Sequence, residues 1–479
     1  MSDTRSDLVV ASNRGPVSFS TDDAGSLSMK RGGGGLVSGL SSVAESTHVV
    51  WVCAALSDGD RQAAAAAPDG RLNEAGHDTG SAVVRMLDIP PGTFHRAYNA
   101  IANSTLWFVH HLLYDRPNRP VFDAEFRTEW NAYVAYNQAF ADALAQEAAE
   151  GAKVLVQDYH LCLVPGMLRR SRPDLRIAHF SHTPWAPPDY YRMLPDDIAR
   201  DLLTGVLGAD HAGFHSPRWA DAFAACCADQ LGADTRAGAV ENDGRTTTCG
   251  VHALGADRGF LQDRASQPDV EARVRALRAQ AGDRSLIVRV DRTELSKNIL
   301  RGLEAYRELL RRYPQWQGNV VHVAFAYPSR HDLPEYREYT AAVQRLGQEI
   351  EYEFATSGWE PLILAVEDDY ARSLAAYRLA DVLLVNPIRD GMNLVAKEVP
   401  LLAENGVTLV LSREAGAYDE LGGDAIDVNP FDVSGTADAL HEALSMPGDE
   451  RLARTQRLAE AATALPPQRW FADQVAALG

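Results

Sequence analysis

The chain has 479 residues, 46% apolar and 23% charged, with a formal net charge of −19. That length points to two large domains rather than one small core, and the acidity excludes a polyanion partner such as DNA, which needs a broad basic surface. The opening MSDTRSDLVVASN lacks a signal peptide's basic stretch and apolar core, no apolar run approaches the roughly 20 residues that span a bilayer, and the five cysteines have no metal-like spacing.

A cytoplasmic protein with reduced thiols, no membrane contact and no nucleic-acid partner is therefore expected. Small phosphorylated ligands remain compatible with the charge, because they need only a few local cations.

In chain order, DLVVAS (7–12), HVVWVCA (48–54), KVLVQD (153–158), RIAHFSH (176–182) and HAGFHS (211–216) read as strands or strand ends. Between them EWNAYVAYNQAFADALAQEAAE (129–150) and RWADAFAACCADQL (218–231) carry the helical period. The polar stretch ENDGRTTTCG (241–250) reads as a hairpin, and a domain boundary follows near ALGADRGF (253–260). The alternation restarts at SLIVRVDR (285–292) and continues through VVHVAFAYP, PLILAV, ADVLLVNP, VTLVLS and AIDVNP. Strands separated by helices imply parallel sheets, here twice over. The expected fold class is α/β, with two doubly wound Rossmann-like domains facing across a cleft. Ligands of such sheets bind at the carboxyl ends of the strands.

Several polar residues fall at those ends. SNRGP puts Arg14 after the first strand, VQDYH places Asp158, Tyr159 and His160 after another, and FSHTPW does the same for His182. In the second half, VDRTELSKN sets Arg292 and Lys297 just past a strand, a pair suited to a diphosphate: Arg grips oxygens bidentately and Lys supplies a point charge. NPIRDGMNLVAKE runs from a strand through Asp390 and Gly391 into a helix beginning near Asn393, with Glu398 within reach of a ribose or a second backbone segment. Free N–H groups at that helix start would favour an anion. The chain has only four lysines, Lys30, Lys153, Lys297 and Lys397, and three of them lie in segments singled out here.

One of those segments is MKRGGGGLVSGL (29–40), with its four consecutive glycines. Gly33, Gly35 and Gly39 also fit a loose dinucleotide-binding pattern, but that reading needs a strand immediately before the glycines. The preceding STDDAGSLSMK is polar, so a loop suited to close backbone approach to a phosphate or sugar is the better expectation.

Taken together, VVASNRGP, VQDYHLCLVPGMLR, HTPWAPPDYYRMLP and RDGMNLVAKE resemble the trehalose-6-phosphate synthase family of retaining GT-B glycosyltransferases, over about 420 residues. The resemblance implies an acceptor-binding domain over 1–253, a nucleotide-sugar-binding domain over 254–463, and a C-terminal helix over 464–479 packing back on the first. It implies transfer of glucose from a nucleoside diphosphate glucose to C1 of glucose 6-phosphate, with no cofactor and no metal. Arg14, Tyr98, Trp107 and Arg330 would hold the acceptor phosphate and Asp158 its hydroxyls. His182 and Asp390 would contact the donor glucose. Arg292 and Lys297 would hold the diphosphate with the Asn393, Leu394 and Val395 backbone, and Glu398 the ribose, while Gly33, Gly34 and Gly35 close over the donor. An assembly of like chains is left open.

Two departures stand out. WVCAALSD puts Ala54 where the family carries an aromatic on the acceptor side, and the segment after GWEPLILA reads VEDDY, acidic and one residue short. Guanine presents two adjacent donors that a carboxylate accepts together, so Glu367, Asp368 and Asp369 tilt the expected donor toward GDP-glucose over UDP-glucose. Other readings of the same motifs are a pseudo-glycosyltransferase coupling a nucleotide cyclitol to a cyclitol phosphate, a starch- or glycogen-synthase-like enzyme, and an inactive sugar-phosphate sensor.

Overall fold

Runs of Val, Ile and Leu form the strands because branched side chains fill a pleated surface buried on both faces. The computed structural model describes residues 5–22, 25–32, 48–236, 238–330 and 332–479. The chain divides into two units, Met1–Leu254 with Pro466–Gly479, and Gly255–Leu465.

The first unit holds β1 (Ser6–Ala11), β2 (Val17–Thr21), β3 (Leu27–Arg31), β4 (Val49–Ala54), β5 (Val83–Leu87), β6 (Ala148–Gln157), β7 (Arg176–Ser181), β8 (His211–Phe214), β9 (Asp234–Arg236), β10 (Ala239–Asn242) and β11 (Arg245–Val251). Its main sheet runs β5-β4-β1-β6-β7-β8-β11-β10-β9. The strands from β5 to β8 pair in parallel, so their carboxyl ends line one edge. All six residues of β4 are buried, as a central parallel strand requires. The expected hairpin is present, with Asn242 opposite Arg245 across its turn.

The helix expected over 129–150 instead spans Ala124–Glu147, and the next residues belong to β6. Asp123 caps its start by accepting from the Phe126 N–H at 3.0 Å. Arg172 explains its end. The guanidinium donates to the carbonyls of Ala145, Ala148 and Ala149, at 2.9, 3.1 and 2.9 Å, satisfying groups that would otherwise seek another helical turn.

A second difference is the antiparallel pair β2–β3, which forms its own two-stranded sheet. Its polar sequence hides the strand period, and it is held from outside. Asp60 accepts from the Phe19 N–H at 2.7 Å, and Ser57 donates to the Phe19 carbonyl at 2.9 Å. A strand therefore does precede the glycine run, but one outside the parallel sheet. Gly33, Gly34 and Gly35 themselves lie outside the described residues.

The second unit holds β12 (Ser285–Arg292), β13 (Val320–Tyr327), β14 (Leu362–Ala365), β15 (Val382–Val385), β16 (Thr408–Ser412) and β17 (Ile426–Val428), in the order β14-β13-β12-β15-β16-β17. Every pairing is parallel. The terminal helix, Pro467–Ala476, belongs to the first unit. There Trp470 is fully buried and donates from Nε1 to the His252 carbonyl at 3.0 Å, while Lys153 reaches the Val475 carbonyl at 3.2 Å. Among the described residues no helix is long and apolar enough to cross a membrane.

Candidate functional site

In the first unit, the chain leaving β6 turns sharply at Asp158, whose φ of 76° is rarely adopted by a non-glycine residue. Two bonds hold that turn. The Asp158 N–H donates to the Phe180 carbonyl at 2.7 Å, and Oδ1 accepts from the His182 N–H at 3.1 Å. Asp158 Oδ2 lies 3.9 Å from His160 Nδ1. The His160 ring stacks with Tyr98, centroids 5.6 Å apart, and Tyr98 stacks with Phe94 at 5.2 Å. Trp107 meets Tyr159 at 5.7 Å.

Asp158, Tyr98 and Trp107, distant in sequence, thus join one aromatic cluster at the carboxyl edge. Tyr98 lies on a π-helical stretch, Arg96–Leu106, that runs into the short helix carrying Trp107. Arg14 follows β1, the neighbour of β6, and is exposed. Ala54 ends β4 fully buried, its N–H donating to the Asn13 carbonyl at 3.1 Å.

His182 follows β7 with both ring nitrogens engaged: Nε2 is 2.9 Å from Gln157 Oε1, and Nδ1 is 3.3 Å from His215 Nε2. Gln157 is in turn bonded to Gln474 of the terminal helix at 3.3 Å. Burial lowers the His182 pKa to about 4, so the ring is neutral at physiological pH. Nε2–H then donates to the Gln157 amide oxygen, and Nδ1 accepts from His215. Gln157, His215 and Gln474 form no motif in the sequence, because a strand end, a loop and the terminal helix bring them together only in the folded unit.

In the second unit, Thr293–Asn298 forms a strap across three strand ends. The Thr293 N–H donates to the Tyr327 carbonyl at 2.7 Å, the Ile388 N–H to the Ser296 carbonyl at 2.9 Å, and Asn298 Nδ2 to the Asn386 carbonyl at 3.0 Å. Buried Arg289 donates to Asp291 Oδ2 and to the Lys297 carbonyl, both at 2.9 Å. The strap brings Lys297 Nζ to Asp390 Oδ2 at 2.6 Å. Burial opposes the Lys297 charge, but the carboxylates of Asp390, Asp291 and Glu294 outweigh it and raise the pKa.

Glu294 gathers the other two cations. Its Oε1 is 3.1 Å from Arg292 Nε and 2.9 Å from Arg330 Nη1, and it accepts from the Ser329 hydroxyl at 2.9 Å. Burial alone would raise its pKa, yet Arg292, Arg330 and Lys297 hold it down at about 2. Arg330 therefore shares a carboxylate with Arg292, whereas Arg14, Tyr98 and Trp107 belong to the other unit. Sequence reasoning passed over Glu294, although an acid between Arg292 and Lys297 in one loop was a readable signal.

Asn393 accepts from the Ala396 N–H at 3.1 Å and donates to Asp390 Oδ2 at 3.1 Å. The helix begins where expected, after Asn393, but runs only from Leu394 to Glu398 before a 3-10 turn continues it. Glu398 ends that helix, and burial raises its carboxyl pKa to about 7, with a Tyr377 hydrogen bond opposing the shift. Lys397 is fully buried and paired with Glu420 at 2.5 Å; that lysine is a packing element rather than a ligand group.

The lean toward guanine is not supported. Asp369 caps helix Tyr370–Leu379, accepting from the Arg372 N–H at 2.9 Å, and pairs with Arg273 at 2.7 Å. Glu367 and Asp368 are exposed. The acidity belongs to a helix start, where carboxylates complement the dipole. Among the described residues, no group of His, Cys, Asp and Glu is arranged to hold a metal ion.

The family model for glycosyltransferase family 20 matches residues 6–479. The chain is 33% identical over 471 residues to the alpha,alpha-trehalose-phosphate synthase (UDP-forming) of Schizosaccharomyces pombe, covering 97% of this chain and 88% of that one. Among solved structures it resembles an E. coli trehalose-6-phosphate protein bound with UDP-2-fluoro glucose, at a TM-score of 0.86 and 26% identity over 98% of both chains. It also resembles the UDP-forming synthase of Burkholderia xenovorans in complex with glucose-6-phosphate, at a TM-score of 0.84 and 26% identity, covering 98% of this chain and 99% of that one. The parallel sheets of both units are thus those of the GT-B fold, and the chain belongs to glycosyltransferase family 20, the trehalose-6-phosphate synthase family.

Proposed function

We propose that the chain transfers glucose from UDP-glucose to C1 of glucose 6-phosphate with retention, forming alpha,alpha-trehalose 6-phosphate. The observation that carries this reading is the cation set Arg292, Lys297 and Arg330, fixed at the strand ends of the second unit by two carboxylates. A uridine donor is supported by the UDP-forming relatives and by the structural duties of Asp369. Arg292, Lys297 and the Asn393–Val395 backbone take the donor diphosphate, and Glu398 the ribose. Asp390 and His182 take the donor glucose. Arg14, Tyr98, Trp107 and Arg330 take the acceptor phosphate, Asp158 takes acceptor hydroxyls, and Gly33 to Gly35 cover the donor.

In this reaction the bond between the anomeric carbon and the diphosphate oxygen breaks, its electron pair leaving with UDP. The acceptor C1 oxygen bonds to the same face of that carbon, and its proton passes to the departing diphosphate. No carboxylate nucleophile is needed. The protein's part is electrostatic, because charge grows on the diphosphate as the bond opens and fixed cations stabilise it there.

The test supplies glucose 6-phosphate with either UDP-glucose or GDP-glucose and follows release of the nucleoside diphosphate. Faster turnover with UDP-glucose is expected. Clear preference for GDP-glucose would overturn the base assignment, and no release with either donor would overturn the activity.

A further inference from the structure

Glu294 is fully buried on the strap, yet none of the roles above uses it. A buried carboxylate is costly unless well paired, and the two cations that pair with this one are both assigned to substrate. Arg292 and Arg330 both converge on the single oxygen Oε1, which also accepts from Ser329. Arg330 reaches it from a left-handed backbone with φ of 47°, a conformation that side chains other than glycine rarely adopt. Its guanidinium is further steered by the Tyr336 hydroxyl at 3.2 Å, with the ring 5.5 Å beneath it. Without the carboxylate, two like charges would lose the one anion that both of them meet.

We propose that Glu294 is a positioning residue that holds Arg292 and Arg330 at a fixed spacing, and so couples the donor diphosphate subsite to the acceptor phosphate subsite. This rests on the assignments of those two arginines given above. The neighbouring cations hold the Glu294 pKa well below the usual carboxylate range, so the carboxylate's hold persists across the working range. Glu294 also competes with phosphate for both guanidiniums, an effect of opposite sign. Preorganisation wins if the cost of leaving two flexible arginines to be ordered by substrate exceeds that competition.

Kinetics of Glu294→Gln, varying UDP-glucose and glucose 6-phosphate separately, decide between them. The expected result is a rise of about tenfold in KM for both substrates, equivalent to about 1.4 kcal/mol. Glu294→Asp should partly rescue both. Ser329→Ala, a milder change to the same oxygen, should raise both by a few-fold even if Glu294→Gln folds poorly. Unchanged or lower KM for either substrate in both Glu294→Gln and Ser329→Ala would overturn the proposal. Arg292→Ala and Arg330→Ala keep the underlying reading separate. If the first raises chiefly the UDP-glucose KM and the second chiefly the glucose 6-phosphate KM, the assignments stand, and the Glu294 result then speaks for the coupling alone.

Discussion

Lys297 and Asp390, 93 residues apart in sequence, meet at 2.6 Å where the strap after β12 crosses the turn after β15. Neither side chain is more than 15% exposed. The contact unites the cation assigned to the donor diphosphate with the carboxylate assigned to the donor glucose, so the two subsites cannot be perturbed independently. Lys297→Ala should lower turnover by tenfold to a hundredfold, for the loss of about 1.5–3 kcal/mol at the developing diphosphate charge. It should also lower stability by about 3 kcal/mol, because Asp390 loses its buried counter-charge. Near-wild-type kcat would count against the catalytic role, and an unchanged urea midpoint against the buried pair.

Glu398 should make donor binding depend on pH. Its carboxyl titrates at about 7 because burial disfavours the anion, and ribose hydroxyls donate best to the ionised form. UDP affinity measured calorimetrically should therefore strengthen as pH rises from about 6 to 8. Glu398→Gln should flatten that profile. A wild-type affinity independent of pH over this range would remove Glu398 from the ribose site.

Asp369→Ala should cost about 1 kcal/mol of stability as a lost helix cap, while Asp368→Ala should cost almost none. Neither should change the ratio of turnover with UDP-glucose to that with GDP-glucose. A shift of that ratio toward uracil in either variant would restore the acidic segment to a part in reading the base.

How much could be read in advance depended on whether the signal was local. SLIVRVDR is β12 residue for residue, and the turn at Asp243–Gly244 stands out because Asx-Gly suits a hairpin. The strand pair β2–β3 was hidden because Asp60 and Ser57, about forty residues away, hold it in place. The end of the long helix at Glu147 depends on Arg172, which lies 27 residues beyond the Ala145 carbonyl it bonds. The site divides in the same way. Arg292, Lys297, Asp390 and Asp158 were legible one by one as polar residues at strand ends. Their pairing was not, since the Lys297–Asp390 and Glu294–Arg330 contacts are made by the fold. VEDDY misled because a helix cap and a base-reading carboxylate have the same composition.

Acid should weaken the first unit through its buried histidines. Burial lowers the pKa of His179 and of His211 to about 4, so between about pH 6.5 and 4 the unfolded chain binds more protons than the folded one. Stability is then full above the unfolded pKa and lost as pH falls through that window. At 1.36 kcal/mol per unit, each histidine contributes at most about 3 kcal/mol. Urea midpoints should fall steadily from pH 6.5 to pH 4.5. A midpoint that held constant or rose over that interval would show that these rings are not held neutral by the fold.

The most direct test of the account is the structure of the product formed from UDP-glucose and glucose 6-phosphate. Proton NMR should show a non-reducing disaccharide phosphate with both anomeric protons in the alpha configuration and no free reducing end. A beta linkage at the transferred glucose, or a product that keeps a reducing end, would contradict retaining transfer to C1.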